Sequence, residues 1–399
     1  MTDVSGRAAT DRFVLLYALA WAGGTIAYTP LLTILLPVQV AGLAGKQVGV
    51  DWLAYIALSG AVAASFGGIC FGYLSDVTRN RRGWIAAGLI LTCLLLGTIG
   101  QATSLSGLIA AIIFWQLALN MMLGPLIAWA GDVVPDHRKG QLGGLMAFAP
   151  GLGALSGAVV TQPGLAADGA RLWLVAALVA VCVLPVLLQR PPPALETPDI
   201  VDAAPLDRHN PGTKRRSRAF RMWLARLLVQ VAEATMFAYL YFWLISLDPA
   251  VSDHQTARLF GVILLVSAPL TLAAGRWSDR RDRPIAPLQA CAFVSALGLV
   301  AMALAADLLS AMLAYGLFGL SSAVFLALHS AQTLRILPRP DRRGRDLGLF
   351  NLANTIPSLV MPWLAIALVP VFGFQGLFAL LAVLAGGAGL LLVTVARSA

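Results

Sequence analysis

Apolar stretches about twenty residues long recur along nearly the whole chain, and no other feature constrains its fold as tightly. A helix of about 20 apolar residues crosses the roughly 30 Å hydrocarbon core of a bilayer. Twelve such stretches can be marked, at 13–37, 52–74, 83–101, 105–131, 141–161, 171–189, 220–247, 256–275, 285–305, 308–334, 347–369 and 373–396. In lipid a lone segment has to satisfy its own backbone hydrogen bonds, so each is expected to be a helix. The alternating-polarity strands of a membrane β-barrel are absent. Composition agrees, with 59% hydrophobic and 12% charged residues, against about 45–50% and about 25% in soluble domains. The expected fold is an all-α membrane protein with twelve transmembrane helices.

A net charge of +9 would suit nucleic acid, but its placement argues against that partner. Of the 28 Lys and Arg residues, Lys46, Arg171 and Arg258 fall in odd-numbered loops and Arg226 within a helix; the rest lie at the termini or in even-numbered loops. By the positive-inside rule both termini face the cytoplasm, and short loops suggest a bacterial inner membrane. The expected partners are membrane lipid and a small molecule, with the chain a monomer. Cys70, Cys93, Cys182 and Cys291 lie inside apolar stretches without CxxC spacing and read as small core residues. The histidines show no metal-ligand spacing, and no cofactor is expected. The first apolar run is full length and reads as a retained helix, not a cleaved signal.

Residues 190–218 are rich in proline, carry both charge signs and have no apolar period, which marks a cytoplasmic linker. It separates a first unit, 1–189, from a second, 219–399, each with six of the stretches. The units share motifs. "GYLSDVTRNRRG" at 72–83 reappears as "GRWSDRRDRP" at 275–284, and Gly275 follows Gly72 by 203 residues. "VVPDHRKGQLGG" at 133–144 reappears as "LPRPDRRGRDLG" at 337–348, with Gly344 following Gly140 by 204. Two motifs with one offset mark an internal duplication.

Over essentially its whole length the chain resembles the major facilitator superfamily of secondary transporters. That family's signature after helix 2 is G-x-x-x-D, a basic residue, x, G and two basic residues, with a weaker copy after helix 8. Gly72, Asp76, Arg81 and Arg82 match the first copy, although Val77 and Arg79 replace the basic residue and the glycine. Gly275, Asp279, Arg280 and Arg283 match the second, with Asp282 where glycine is usual. The resemblance implies two pseudo-symmetric six-helix bundles exposing a central site alternately to each side. It also implies that these residues, with Asp132 at the end of helix 4, form a cytoplasmic gate between the halves. Gly72 and Gly275 would let helices approach closely, and the two aspartates would end helices at the membrane face. The alternative is that the arginines only fix topology.

Two further resemblances point in opposite transport directions. "GLFNLANTIPSLVMP" at 348–362 is similar to the eleventh helix of transporters related to the sucrose–proton symporters, through Asn351, Asn354 and Pro357; Ser358 stands where glutamine is expected. "APGLGALSG" at 149–157 resembles the helix-5 motif of proton antiporters through Pro150 and Gly153; Leu145, Ala149 and Ala154 stand where glycines belong.

Ionisable groups deep in hydrocarbon are costly and read as functional by default. Glu233 lies about 20 Å beyond Phe220 at 1.5 Å per residue, near mid-membrane. Arg226, Gln230, Glu233 and Phe237 share one helical face. Glu233 is the candidate proton carrier, with the proton as coupling ion, and Arg226 its charge partner or an anchor for an anionic substrate. A structural ion pair is the alternative. By the resemblance, helices 1, 4, 7 and 10 supply the cavity walls. Tyr28, Gln116, Asn120, Gln230, Tyr239, Asn351 and Asn354 are the substrate-cavity candidates, and interface anchoring or interhelical bonding is the other role such residues take. His329 reads as a hydrogen-bonded structural histidine.

The expected function is proton-coupled secondary transport of a small organic solute. Rival readings are a passive facilitator and a transporter-shaped assembly or pigment-handling factor whose cavity is plugged by apolar side chains. An enzyme is not expected, because no HExxH, GxSxG, Walker or Cys/His constellation is present.

Overall fold

The computed structural model describes residues 2–134, 142, 145–146, 148–189, 213–281, 283, 285–336 and 343–397, and no strand occurs among them. Among the described residues, ten helices are long and apolar enough to cross a membrane. In chain order they begin with α1 (Asp11–Gly45), α2 (Val48–Thr78), α3 (Arg81–Ile99) and α4 (Leu105–Val133). The shorter apolar helix Ala149–Val160 is α5, followed by α6 (Gly169–Leu188), α7 (Phe220–Leu247), α8 (Asp253–Ser278), α9 (Ala286–Leu304) and α10 (Leu308–His329). The final run, Ile356–Ala396, is broken at Gly373, where φ is 64°, into α11 (356–372) and α12 (374–396). The twelve expected stretches are thus all represented by helix.

Boundaries differ from expectation where helix outruns the bilayer. Residues 38–51 read as a loop, yet helix continues to Gly45, whose φ of 73° turns the chain into α2. The helix carrying α7 begins at Thr213, so the last residues of the expected linker are helical; residues 190–212 lie outside the described residues. Hydropathy marks contact with lipid, whereas backbone hydrogen bonding continues wherever the chain is locally consistent with helix. Within α1, Pro30 is followed by a π-helical turn at Leu31–Leu35, the local distortion with which a helix absorbs a missing N–H donor.

The two units pack their helices in the same order. In the first, α1 packs on α5 and α6, α2 on α4, and α3 on α4 and α6. In the second, α7 and α9 pack on the α11–α12 run, α8 on α10, and α9 on α10. Helix caps repeat too. The Ser104 hydroxyl accepts the Gly107 N–H at 3.2 Å at the start of α4, and the Asp307 carboxylate accepts the Ser310 N–H at 3.0 Å at the start of α10. That N–H holds the exposed Asp307 carboxyl below its ordinary pKa.

Close helix approach depends on glycine, though not where the motif suggested. A Cβ on Gly72 would meet nothing within 4 Å, while one on Gly124 of α4 would lie 3.1 Å from the Gly68 oxygen and 3.3 Å from the Gly72 nitrogen. The requirement for a glycine therefore sits on α4. Gly275 is similar, with only the Leu328 side chain at 3.6 Å.

Candidate functional site

One face of α7 builds the site, as its spacing implied. The Gln230 side-chain amide donates to Glu233 Oε2 at 3.3 Å. Phe237, one turn on, packs its ring against Tyr28 of α1 at 6.3 Å between centroids and edge-on against Phe260 of α8 at 5.9 Å. Tyr28 and Tyr315 of α10 are within electrostatic reach of Glu233. Arg226, also within electrostatic reach of Glu233, donates from Nη1 to the Leu326 carbonyl at 3.2 Å, tying α7 to α10. One turn before it, His329 Nε2 is 2.9 Å from the Met222 carbonyl oxygen, so this fully buried histidine joins the same two helices.

Glu233 lines an internal space of about 20 Å³ with Phe237, Phe260, Tyr315, Phe318 and Ser322 among its walls. That is room for about one water molecule. Glu233, Tyr315 and Ser322 are the polar residues among its walls, and the others are apolar. The arrangement can hold a carboxyl group away from bulk water beside neutral donors from a neighbouring helix, with one aromatic neighbour, Tyr28, contributed by the other half of the chain.

Gln116, Asn120 and Tyr239 are placed elsewhere. Gln116 is buried at the α2–α4 seam, 3.6 Å from where a Cβ on Gly60 would stand. Asn120 faces Gly67 and Gly68 of α2 and donates to the Gln116 carbonyl at 2.9 Å. Tyr239 is buried on another face of α7, and among the described residues neither its hydroxyl nor Asp51 Oδ1 of α2 has a hydrogen-bond partner, although the two groups are within electrostatic reach. Asn351 and Asn354 are on helix, but their side chains lie outside the described residues. Tyr315 was not singled out, although Tyr315, Gly319 and Ser322 recur at i, i+4 and i+7 along α10 and all reach the Glu233 space. That period was available in the sequence.

The first motif copy forms a compact polar cluster. Arg81 pairs with Asp76, donates from Nε to Asp132 at 3.0 Å and from Nη1 to the Ser75 hydroxyl at 2.6 Å. Arg82 donates to the Leu187 carbonyl at the end of α6. Arg79 takes the left-handed conformation, φ 51°, in the turn after α2. These contacts join α2, α3, α4 and α6, all in the first half. In the second copy, the Ser278 hydroxyl donates to the Arg283 carbonyl at 3.3 Å, Arg280 is exposed, and the Asp279 side chain and Gly140 lie outside the described residues. An ion pair across the halves does occur among the described residues, at the other end of the molecule: Arg171, at the start of α6, pairs with Asp253, at the start of α8. In the sequence Arg171 stands out only as one of the few basic residues in the odd-numbered loops.

Known proteins place the chain in context. A family model described as the Major Facilitator Superfamily matches residues 13–315 and 222–399. No curated protein matches by sequence. Among solved structures, the nucleoside transporter NupG superposes with a TM-score of 0.70 at 13% identity, covering 96% of this chain and 99% of that one. A bacterial homologue of the human lysosomal transporter Spinster, in an inward-facing and unoccupied conformation, gives 0.67 at 15% identity, covering 98% and 96%. The human organic anion transporter MFSD10 gives 0.63 at 17%, covering 96% and 99%. At these identities the likeness is one of fold.

Proposed function

We propose that this chain, which belongs to the Major Facilitator Superfamily and is an integral membrane transporter rather than an enzyme, carries a small organic solute by alternating access, coupled to protons through Glu233. The observation that carries this reading is the position of Glu233. It lies mid-span on α7, beside an internal space and across from Tyr28 of the other half. A carboxylate there is costly to keep charged, and in this reading the halves part to expose it to one side at a time. Gln230 donates a hydrogen bond to it, Tyr315 lines the same space, and Arg226 lies within electrostatic reach further along the same face. Both termini face the cytoplasm of a bacterial inner membrane in this reading, as the loop charges imply.

The solutes to test first are nucleosides, organic anions and sugars. Structural neighbours transport members of the first two classes, and the motif around Asn351 and Asn354 adds the third. Purified protein in liposomes with an internal pH dye is exposed to each solute gradient. Wild type is expected to move protons with its substrate, and Glu233→Gln to lose proton movement at least tenfold while still binding the solute. Equal proton movement by both proteins removes Glu233 from the coupling. A transporter-shaped factor that does not transport is favoured by one observation, the mainly apolar walls and about 20 Å³ of the space beside Glu233. Under that reading no solute gradient moves protons or solute in either protein.

A further inference from the structure

We propose that Arg171 and Asp253 form a lock that holds the two halves together on the face opposite the linker, and that it parts whenever the central site opens to that face. The proposal rests on the alternating-access reading above. Arg171 stands in the first turn of α6 and Asp253 in the first turn of α8, so the pair joins helices of different halves with no covalent connection near it. Its side chains are 15% and 16% exposed, which is mostly desolvated yet within reach of water. A pair in that position can exchange its partner for solvent when the face opens, without leaving either charge stranded in hydrocarbon. Asp253 also lies where the positive end of the α8 dipole favours a carboxylate.

The surrounding contacts on that face also cross between halves. Gly49, at the start of α2, sits against the Phe242 ring near the end of α7, where an added Cβ would be 2.8 Å from the ring. Gly261 of α8 faces the Ala154 carbonyl of α5, 3.5 Å from an added Cβ. On the linker's face, by contrast, the contacts named for Arg81 and Arg82 stay in the first half, and those named for Arg221 and Arg226 stay in the second. Among the described residues, the contacts of the first Asp–Arg motif brace its own bundle, and an ion pair between bundles lies at the opposite end. Sequence offers one supporting sign. Arg171 breaks the bias that keeps basic residues off its side of the membrane, and a fixed acidic partner gives it a reason to be there.

The test measures distance rather than transport. In a background with Cys70, Cys93, Cys182 and Cys291 replaced by serine, spin labels are placed at Gln162→Cys and Ala250→Cys, exposed positions in the α5–α6 and α7–α8 connections. Pulsed electron resonance of the intact protein in lipid nanodiscs then reads the separation across the face. Arg171→Asp and Asp253→Arg are each expected to raise the long-distance population about tenfold, and the swapped double variant to restore the short one. Asp253→Asn, which keeps the size of the side chain, is expected to shift it in the same direction by less. Unchanged distances in folded single variants, or a swap that fails to restore, overturn the lock. Because the readout needs neither solute nor protons, it stays decisive if Glu233 proves to couple nothing.

Discussion

Arg79 holds a backbone conformation that a residue with a Cβ takes at a cost of about 1–2 kcal/mol, at the position where the superfamily motif carries glycine. Its side chain is exposed, and its N–H donates to the Asp76 carbonyl at 3.3 Å, a bond that glycine would keep. Arg79→Gly is therefore expected to raise stability by about 0.5–1 kcal/mol, part of the relieved strain being offset by the freer unfolded chain. A thermal melt in detergent checks this, and an unchanged or lower melting temperature would mean that the guanidinium contributes to the cluster around Arg81. Residue-scale reading found Glu233 because a charge in an apolar run stands out by itself. It missed the pairing of Arg171 with Asp253 because each is ordinary in its own loop, and only the packing of two distant segments makes them partners.

At the scale of the helix, two close approaches support both bundles. A Cβ on Gly88 of α3 would lie 2.4 Å from the Met122 nitrogen of α4, and one on Gly298 of α9 would lie 2.7 Å from the Phe318 nitrogen of α10. Neither backbone can yield cheaply, so Gly298→Ala is expected to cost about 1–3 kcal/mol. Gly316→Ala, whose Cβ would meet nothing within 4 Å, is expected to be neutral or to gain up to about 1 kcal/mol of helix propensity. Melting temperatures of the two variants check the contrast, and equal effects would remove the steric argument. The cap of α10 adds a pH dependence. The Ser310 N–H lowers the pKa of Asp307, so the folded state favours the carboxylate. That contribution is present above the ordinary carboxyl pKa of 3.8 and is lost as pH falls through the lower folded value. Asp307→Ser, which copies the Ser104 cap, is expected to retain the helix start and lose this acid sensitivity, read as the slope of melting temperature between about pH 5 and pH 3. The elements themselves were legible, since twenty apolar residues admit no other structure in lipid. Their ends were not: the helix of α7 starts in the polar stretch at Thr213, where hydropathy carries no signal, and the first helix runs on through mostly small and apolar residues to Gly45, beyond the length a bilayer needs.

For the whole molecule, the repeat offset of 203 residues made the arrangement within each half readable, but it says nothing about how the halves meet. Under the alternating-access reading proposed above, their interface belongs to one state of the molecule, and the same sequence has to serve the others. Here α5 packs on α8 and α7 on α2, the Tyr28 ring packs at a tilt against Phe237, and Arg171 pairs with Asp253. These contacts join surfaces that only the 190–218 segment links covalently. If they suffice, the halves need no tether. Residues 1–200 and 201–399 produced as separate chains in one cell are expected to purify together in mild detergent. Gly49→Leu, which forces a side chain into the Phe242 ring, is expected to reduce the recovered partner several-fold while leaving the helical circular dichroism of each half unchanged. Halves that are fully helical yet never associate would mean that the interface depends on the high effective concentration a short linker supplies. Shortening residues 190–212 in the intact chain would then change stability, which the surface contacts alone do not predict.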